Sequence, residues 1–284
     1  MKLYIIPSIL AALLLLAGTS CKSSKNLNDS SYDLESLADG ISEKVLVKTL
    51  GNKSLQRLLS DEPQRGDSTT KTFDVADFNA IEVSGIASIH FTQGNEFKVR
   101  AAGTPTLMEH LAVKVKDGVL TIDYTNETSH DITLNGPAFV NVYVTAPDLQ
   151  KVEMEGATRF YASSISTNTM SMDISGATLL SIGRLKANSV ESEISGAGNL
   201  NLSVEAETCD LECTGACKGT VSFKGGDLNL DISGAVKMNF NVDCRSVTSD
   251  NSGTSKITIS GVAEKTDIEN SGISRTNTKN LNKF

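Results

Sequence analysis

Residues 170–182 read MSMDISGATLLSI and residues 190–202 read VESEISGAGNLNL, and the Ser-Gly-Ala word that they share returns along the chain. Seven glycines mark the repeat, at successive steps of 20, 20, 19, 19, 19 and 19 residues. They are Gly156, Gly176, Gly196, Gly215, Gly234, Gly253 and Gly272. A constant period near 20 without a helical pattern is typical of a solenoid, in which each repeat forms one coil.

Apolar and polar residues alternate on both sides of each repeated glycine. Met154, Ile174 and Ile194 stand two residues before a glycine, and Leu180 and Leu200 stand four residues after one. Because the side chains of a strand alternate between its two faces, each of these columns points into a shared interior. The pattern predicts an all-β, single-stranded solenoid with 19–20-residue coils, in which glycine permits the turn at the corner.

Composition divides the chain before and after the regular repeat. Lys2, an apolar run over residues 3–17 and small residues at 18–20 predict a signal peptide over residues 1–20. Cys21 follows directly and resembles the lipobox cysteine of bacterial lipoproteins, whose thiol receives a lipid; an ordinary signal peptide is the alternative. Beyond it we predict a polar tether with a short helix (21–70), an irregular β cap (71–150), regular coils (151–278) and a tail (279–284).

Several short sequence motifs in the β region resemble those of a known family. Residues 78–85 read FNAIEVSG, residues 93–94 QG, residues 117–122 DGVLTI and residues 142–149 VYVTAPDL, and the Ser-Gly-Ala repeats follow them. In these words the sequence resembles the bacterial head GIN domain family of auto-transporter adhesins, over about residues 71–278. The resemblance implies a right-handed β-helix-like solenoid in a lipoprotein of Bacteroidetes-type bacteria, and it supplies no catalytic residues.

The composition argues against two classes of function. The net charge is −8, whereas a nucleic-acid partner requires clustered Lys and Arg. Enzymes built on β-helices usually cover one face with long loops, and the short period leaves no room for such insertions. The absence of Trp also weakens the case for a sugar-stacking catalytic cleft. We therefore predict that the protein is not an enzyme and has no resident cofactor.

Charged residues form two columns, one on each side of the corner. An acid stands three residues before every repeated glycine, namely Glu153, Asp173, Glu193, Glu212, Asp231, Asp250 and Glu269. Three residues after the glycine the column is partly basic, with Arg159, Lys218, Lys237, Lys256 and Arg275. Pairing across the corner offsets the repulsion between stacked acids in one interpretation. The alternative is Ca²⁺ at Asp173 and Glu193, where the basic column is interrupted.

Cysteine and histidine give weaker signals. Cys209 and Cys213 occupy apolar columns, which favours core packing for them and for Cys217 and Cys244, with a disulfide or a metal site as alternatives. His90, His110 and His130 are spaced by 20 residues, which suggests a metal triad. Their surroundings do not align with the repeat, so this signal is slight.

The predicted function is that of a ligand-binding or adhesive lipoprotein. Its ligand is a glycan or a protein, and the outward positions five residues after each glycine are the candidate contacts. These are Tyr161, Asn201, Thr220, Asn239 and Thr258. The alternatives are a periplasmic scaffold or sensor component and a degenerate carbohydrate-active β-helix. The lipid on Cys21 predicts attachment to the cell envelope, at the outer membrane, with the periplasmic or surface face left open.

Overall fold

The described residues fold into a β-solenoid of about seven turns with a nearly closed seam, and 75% of these residues are strand against 3% helix. The computed structural model describes residues 68–125 and 140–283. The all-β solenoid expected from the glycine period is thereby confirmed. Within these described ranges no helix is long and apolar enough to cross a bilayer. The expected signal peptide, Cys21, His130 and nearly all of the tether lie outside the described residues.

Seven strands and a short helix build the N-terminal end. The strands are β1 (Thr69–Phe73), β2 (Ala80–Val83), β3 (Ile86–Gln93), β4 (Lys98–Gly103), β5 (Leu111–Lys116), β6 (Val119–Tyr124) and β7 (Val140–Ala146). Helix α1 (Pro105–His110) begins with a proline, which suits the first turn because an N–H there has no partner within the helix. Asp117 and Gly118 have positive φ and form the turn of the β5–β6 hairpin, for which Asp-Gly is a favoured pair.

The regular coils supply the remaining strands. They are β8 (Lys151–Met154), β9 (Ala157–Ala162), β10 (Ile165–Ser166), β11 (Thr169–Ile174), β12 (Ala177–Lys186), β13 (Ser189–Ile194), β14 (Ala197–Cys213), β15 (Lys218–Asn270), β16 (Arg275–Asn277) and β17 (Leu281–Asn282). Strand β15 runs without a break through several corners and therefore belongs to more than one side of the solenoid.

Two long parallel ladders meet at the glycine corner. The pre-glycine sheet stacks β6, β2, β8, β11 and β13, then the second part of β14 and a segment of β15. The post-glycine sheet stacks β7, β3, β9 and β12, then the first part of β14, segments of β15 and finally β16. A shorter third side contains β10 and the ends of β12 and β14.

The coils at the N-terminal end do not follow chain order. Strands β2 and β3 form one coil around Gly85, and this coil lies between the β6–β7 level and the β8–β9 coil. After the β2–β3 coil, the chain therefore forms β6 and β7 on the N-terminal side of that coil. It then crosses to the other side of the coil, where it forms β8 and β9. Strands β4, β1 and β5 pair antiparallel with their neighbours and finish the N-terminal edge.

The repeated glycines stack directly on one another, and this is why the corner admits no side chain. A Cβ placed on Gly176 would lie 2.4 Å from the carbonyl oxygen of Gly156. On Gly196 it would lie 2.2 Å from the carbonyl oxygen of Gly176. Gly176 also has a φ of +88°, a conformation that L side chains rarely adopt. The glycine column is therefore required by sterics at several levels and by backbone conformation at some of them.

The interior is mostly apolar, with isolated buried polar side chains at Thr158, Thr178 and Ser192 and a group of three (Ser249, Asn251 and Ser255) near the C-terminal end. Phe160, Phe223 and Phe240 are fully buried along the solenoid axis. Near the last coils Asn251 is buried, and its Nδ2 donates to the carbonyl oxygen of Glu269 at 3.3 Å and to Thr276 Oγ1 at 3.1 Å. These hydrogen bonds satisfy the buried amide of Asn251 where the core meets the final, more polar coil.

Candidate functional site

The five candidate binding residues fall on one column of the post-glycine sheet, as their spacing predicts. The strand register places Tyr161 next to Ser181, Ser181 next to Asn201, and Asn201 next to Thr220. Asn239 and Thr258 continue the column at intervals of 19 residues. Asn201, Thr220 and Asn239 are exposed, whereas Tyr161 and Thr258 are half-buried. We call this line of outward side chains the central column.

The post-glycine sheet presents a cationic and neutral surface. Its outward columns stand three, five and seven residues after each glycine, and in the described coils none of these positions is Asp or Glu. The column before the central column contains the basic residues Arg159, Lys218, Lys237, Lys256 and Arg275. The column after it is built of small polar residues such as Ser203 and Ser222, which lie side by side.

The pre-glycine sheet presents the opposite charge. Its register stacks Glu82, Glu153, Asp173, Glu193, Glu212 and Asp231 in direct succession. At the outward positions three and five residues before each glycine in the described coils, Lys151 is the sole cation. Glu153 forms an ion pair with Lys151, and this hydrogen bond raises the pKa of the ammonium. The corner therefore separates an acidic surface from a basic one.

The calcium hypothesis for Asp173 and Glu193 stays a prediction. The two residues are neighbours in the ladder between β11 and β13. A shallow depression of about 160 Å³ on this surface is lined by Glu82, Glu153, Glu155 and Asp173, but not by Glu193. Within the described residues no three His, Cys, Asp or Glu side chains converge in a way that could hold a metal ion. The stacked acids lie at the surface, where water screens the repulsion between them.

The four cysteines among the described residues, Cys209, Cys213, Cys217 and Cys244, are buried free thiols. Burial raises the pKa of Cys209 to about 12 and that of Cys244 to about 11, so neither thiol ionises near neutral pH. Cys213 and Cys217 share a hydrogen bond inside the corner, which together with burial raises the pKa of Cys213. All four side chains are buried in the core, and Cys209 and Cys213 lie in the apolar columns to which the repeat assigned them.

On the third side of the solenoid, several exposed charged side chains form ion pairs with one another. Arg245 donates to Asp227 from Nε at 2.9 Å and from Nη2 at 2.6 Å. These hydrogen bonds lower the pKa of Asp227 to about 2. Arg184 pairs with Glu205 at 2.9 Å in the same region. Such pairs connect adjacent coils, and they leave this side without a charge excess of either sign.

A stack of rings that the sequence did not reveal lies at the N-terminal end of the post-glycine sheet. The ring of His90 lies between those of Tyr143 and Tyr161, with centroid distances of 5.0 and 5.2 Å and interplanar angles of 19° and 15°. The guanidinium carbon of Arg100 lies 4.6 Å from the Tyr143 ring centroid, a cation–π contact. Tyr143 is 39% exposed. We call Arg100, Tyr143, His90 and Tyr161 the aromatic stack.

The aromatic stack extends the central column. Tyr161, the first of the candidate binding residues, is shared by both, and Ser181 and Asn201 come next. His90 had been considered only as a metal ligand, and the structure instead gives it two ring neighbours and a contact of 3.3 Å from Nε2 to Asn141 Oδ1. The spacing of residues before the regular repeat carries no periodic signal that would have placed Tyr143 beside His90.

A family profile described as "Putative auto-transporter adhesin, head GIN domain" matches residues 77–222. The chain belongs to the head GIN domain family. The resemblance read from the sequence is thus confirmed, and the described solenoid is the fold of a family member. No curated protein sequence matches the chain significantly.

Solved structures share this fold at low sequence identity. A "putative adhesin" from Bacteroides fragilis aligns with a TM-score of 0.64 and 17% identity, over 76% of this chain and 98% of its own. A "putative lipid binding protein" from Parabacteroides distasonis aligns with a TM-score of 0.57 and 15% identity, over 78% and 98%. A "putative adhesin" from the same species gives 0.50 and 17%, over 76% and 96%. At such identities the likeness concerns the fold alone.

Proposed function

We propose that the protein is a non-enzymatic adhesin, held at the cell envelope by a lipid on Cys21, that binds an extended glycan along the post-glycine sheet. The observation that carries the proposal is the central column. It is a straight line of amide and hydroxyl side chains, with Asn201 beside Thr220, on a sheet whose outward positions include no carboxylate in the described coils. Amides and hydroxyls both donate and accept hydrogen bonds, as sugar hydroxyls require.

The regular spacing of the column suits a polymer better than a compact ligand. Adjacent coils lie about 4.8 Å apart, so equivalent side chains recur at nearly the length of one sugar residue. A repeated weak contact multiplies along such a surface, because each further contact is made within a complex already formed. Family membership and the neighbours described as adhesins support this function. They also support an extracellular or envelope location.

The experiment is a glycan-array and mucin-binding assay of the full-length protein, with and without Ca²⁺. The test variant is Asn201→Ala with Asn239→Ala, two exposed positions of the central column. The matched control is Asn229→Ala with Thr248→Ala, exposed on the pre-glycine sheet. We expect the test variant to lose at least tenfold in affinity and the control to bind as the wild type does, with melting curves unchanged for both.

Each outcome of this assay has a defined meaning. Binding that needs Ca²⁺ supports the adhesin and assigns the ion to the acidic surface, where Asp173 and Glu193 are the proposed ligands. Binding without Ca²⁺ supports the adhesin and leaves the acidic surface a structural role. Equal loss in test and control variants contradicts the central column as the contact. No binding in either condition favours the periplasmic scaffold or sensor instead.

A further inference from the structure

Two columns of side chains run side by side at the N-terminal end of the post-glycine sheet. The register places Tyr143, His90 and Tyr161 on successive strands β7, β3 and β9. Two residues earlier on the same strands, the register places Asn141, Ser88 and Arg159. With about 4.8 Å between strands and about 6.6 Å between residues i and i+2, the six side chains cover an area of about 10 by 7 Å. That area matches one or two sugar residues.

Arg159 in this cluster has a donor without an acceptor. Its Nη2 is shielded from solvent and makes no hydrogen bond to any described residue. A guanidinium carries five donors in a planar fork, and a buried donor left unpaired costs free energy. The neighbours that the register gives it, Ser88 and Leu179, include no carboxylate. A small rotation of the half-buried Arg159 side chain would bring this nitrogen to the surface, where an outside acceptor, above all an anionic one, would remove this cost.

The surroundings of Arg159 favour an anion. Strands β3, β4, β7 and β9 contain no Asp or Glu at any position. Arg100 on β4 adds a second guanidinium, fixed over the ring of Tyr143. Aromatic rings bury the C–H faces and edges of a sugar, while guanidinium groups bind carboxylates in a bidentate way. The cluster therefore offers both aromatic contacts and a guanidinium for a carboxylate. An acidic sugar can use both, whereas a neutral sugar can use only the aromatic contacts.

We propose that the cluster formed by the aromatic stack with Asn141 and Arg159 is a binding site for an acidic sugar residue of the glycan. Arg159 donates to the sugar carboxylate, the outward edges of Tyr143 and Tyr161 contact the sugar, and the polymer continues along the central column toward Asn201. The site rests on the proposed function, since it names the ligand class for one end of that surface. It involves reversible binding only, without any covalent step.

The test compares two probes that differ only in charge. Tetragalacturonate carries four carboxylates, and its fully methyl-esterified form has the same rings and linkages without them. Binding of each to the full-length protein is measured by titration calorimetry at a fixed salt concentration. The variants are Arg159→Gln, Arg159→Lys and Tyr143→Ala. Arg275→Gln is the matched control, because Arg275 occupies the same column at the opposite end of the sheet.

We expect the wild-type protein to bind the acidic probe at least tenfold more tightly than the ester. Loss of a charge-assisted hydrogen bond predicts that Arg159→Gln weakens the acidic probe by about 10- to 100-fold and leaves the ester unchanged. Arg159→Lys should retain part of the preference, because it keeps the charge but not the fork. Tyr143→Ala should weaken both probes. Arg275→Gln should change neither, and melting curves should show every variant folded.

The outcomes separate this proposal from the proposed function. Equal affinity for the two probes, an equal effect of Arg159→Gln and Arg275→Gln, or no binding of either probe would each overturn the acidic-sugar site. If array glycans still bind through Asn201 and Asn239 in any of these cases, the proposed function stands without it. Conversely, discrimination that depends on Arg159, with no effect of the Asn201 and Asn239 variant on any glycan, would support the site and contradict the extended surface.

Discussion

Replacing a stacked glycine by alanine should be the most damaging small substitution in this solenoid. In Gly176→Ala the new Cβ would lie 2.4 Å from the Gly156 carbonyl oxygen and 2.7 Å from its amide nitrogen, well inside van der Waals contact. Overpacking of this kind costs about 1–3 kcal/mol. The φ of +88° adds about 1–2 kcal/mol for an L side chain. We therefore expect a loss of about 2–5 kcal/mol in the free energy of unfolding.

Two further glycines separate the steric and conformational parts of this cost. Gly196 is not among the glycines with positive φ, but its Cβ would lie 2.2 Å from the Gly176 carbonyl oxygen, so Gly196→Ala should show the steric part alone. Gly118 has a φ of +79° with its nearest contact at 3.7 Å, so Gly118→Ala should show the conformational part alone, about 1–2 kcal/mol.

The measurement is urea denaturation followed by far-ultraviolet circular dichroism, with the denaturant slope compared among the three variants and the wild type. The expected order of destabilisation is Gly176→Ala first, with Gly196→Ala and Gly118→Ala each smaller. An effect of Gly176→Ala no larger than that of Gly118→Ala would refute the close stacking of the corners. A change in slope without a change in midpoint would indicate an altered unfolded state instead.

Two more predictions concern titration and thiol chemistry. The pKa of Asp227, about 2 beside Arg245, lies below its unfolded value near 3.9, so the pair stabilises the fold above that value and loses its effect as the pH falls toward 2. Asp227→Asn should therefore flatten the decline of the melting temperature between about pH 4 and 2, and an unchanged decline would contradict the pairing. Iodoacetamide at pH 8 should leave Cys209, with its pKa of about 12, unmodified in the folded protein and alkylate it after denaturation; mass spectrometry would show rapid native labelling if the site were open.

The regular coils could be predicted from the sequence because one rule relates each residue to its neighbours. A constant period of 19 or 20 residues sets the register, and the alternation of strands then decides which side chains point outward. Asn201 and Thr220 fall side by side for this reason, and so do Asp173 and Glu193. The same parity also separates the acidic surface from the basic one.

The aromatic stack lay beyond that rule. Gly85 and Gly156 are adjacent in the glycine column, but 71 residues separate them in the chain. Between these glycines, β4 pairs antiparallel with β7, and β7 pairs with the earlier strand β3. The sequence distance between paired residues therefore differs from the 19 or 20 residues of the regular coils. No spacing in the sequence therefore relates Arg100 to Tyr143 or Tyr143 to His90. Only the Ser-Gly word at residues 84–85 indicated that this coil belonged to the column.

The out-of-order coil at the N-terminal end has a consequence for the order in which the coils can form as the chain folds. A solenoid whose coils follow chain order can grow from either end, one turn at a time, as each segment emerges. Strand β3 cannot, because both of its ladder partners, β7 and β9, come later in the chain. Its edges therefore stay unpaired until the chain as far as about residue 162 is free to fold. We expect residues 69–162 to form the slow, all-or-none nucleus, and later coils to add onto β9 within a much shorter time.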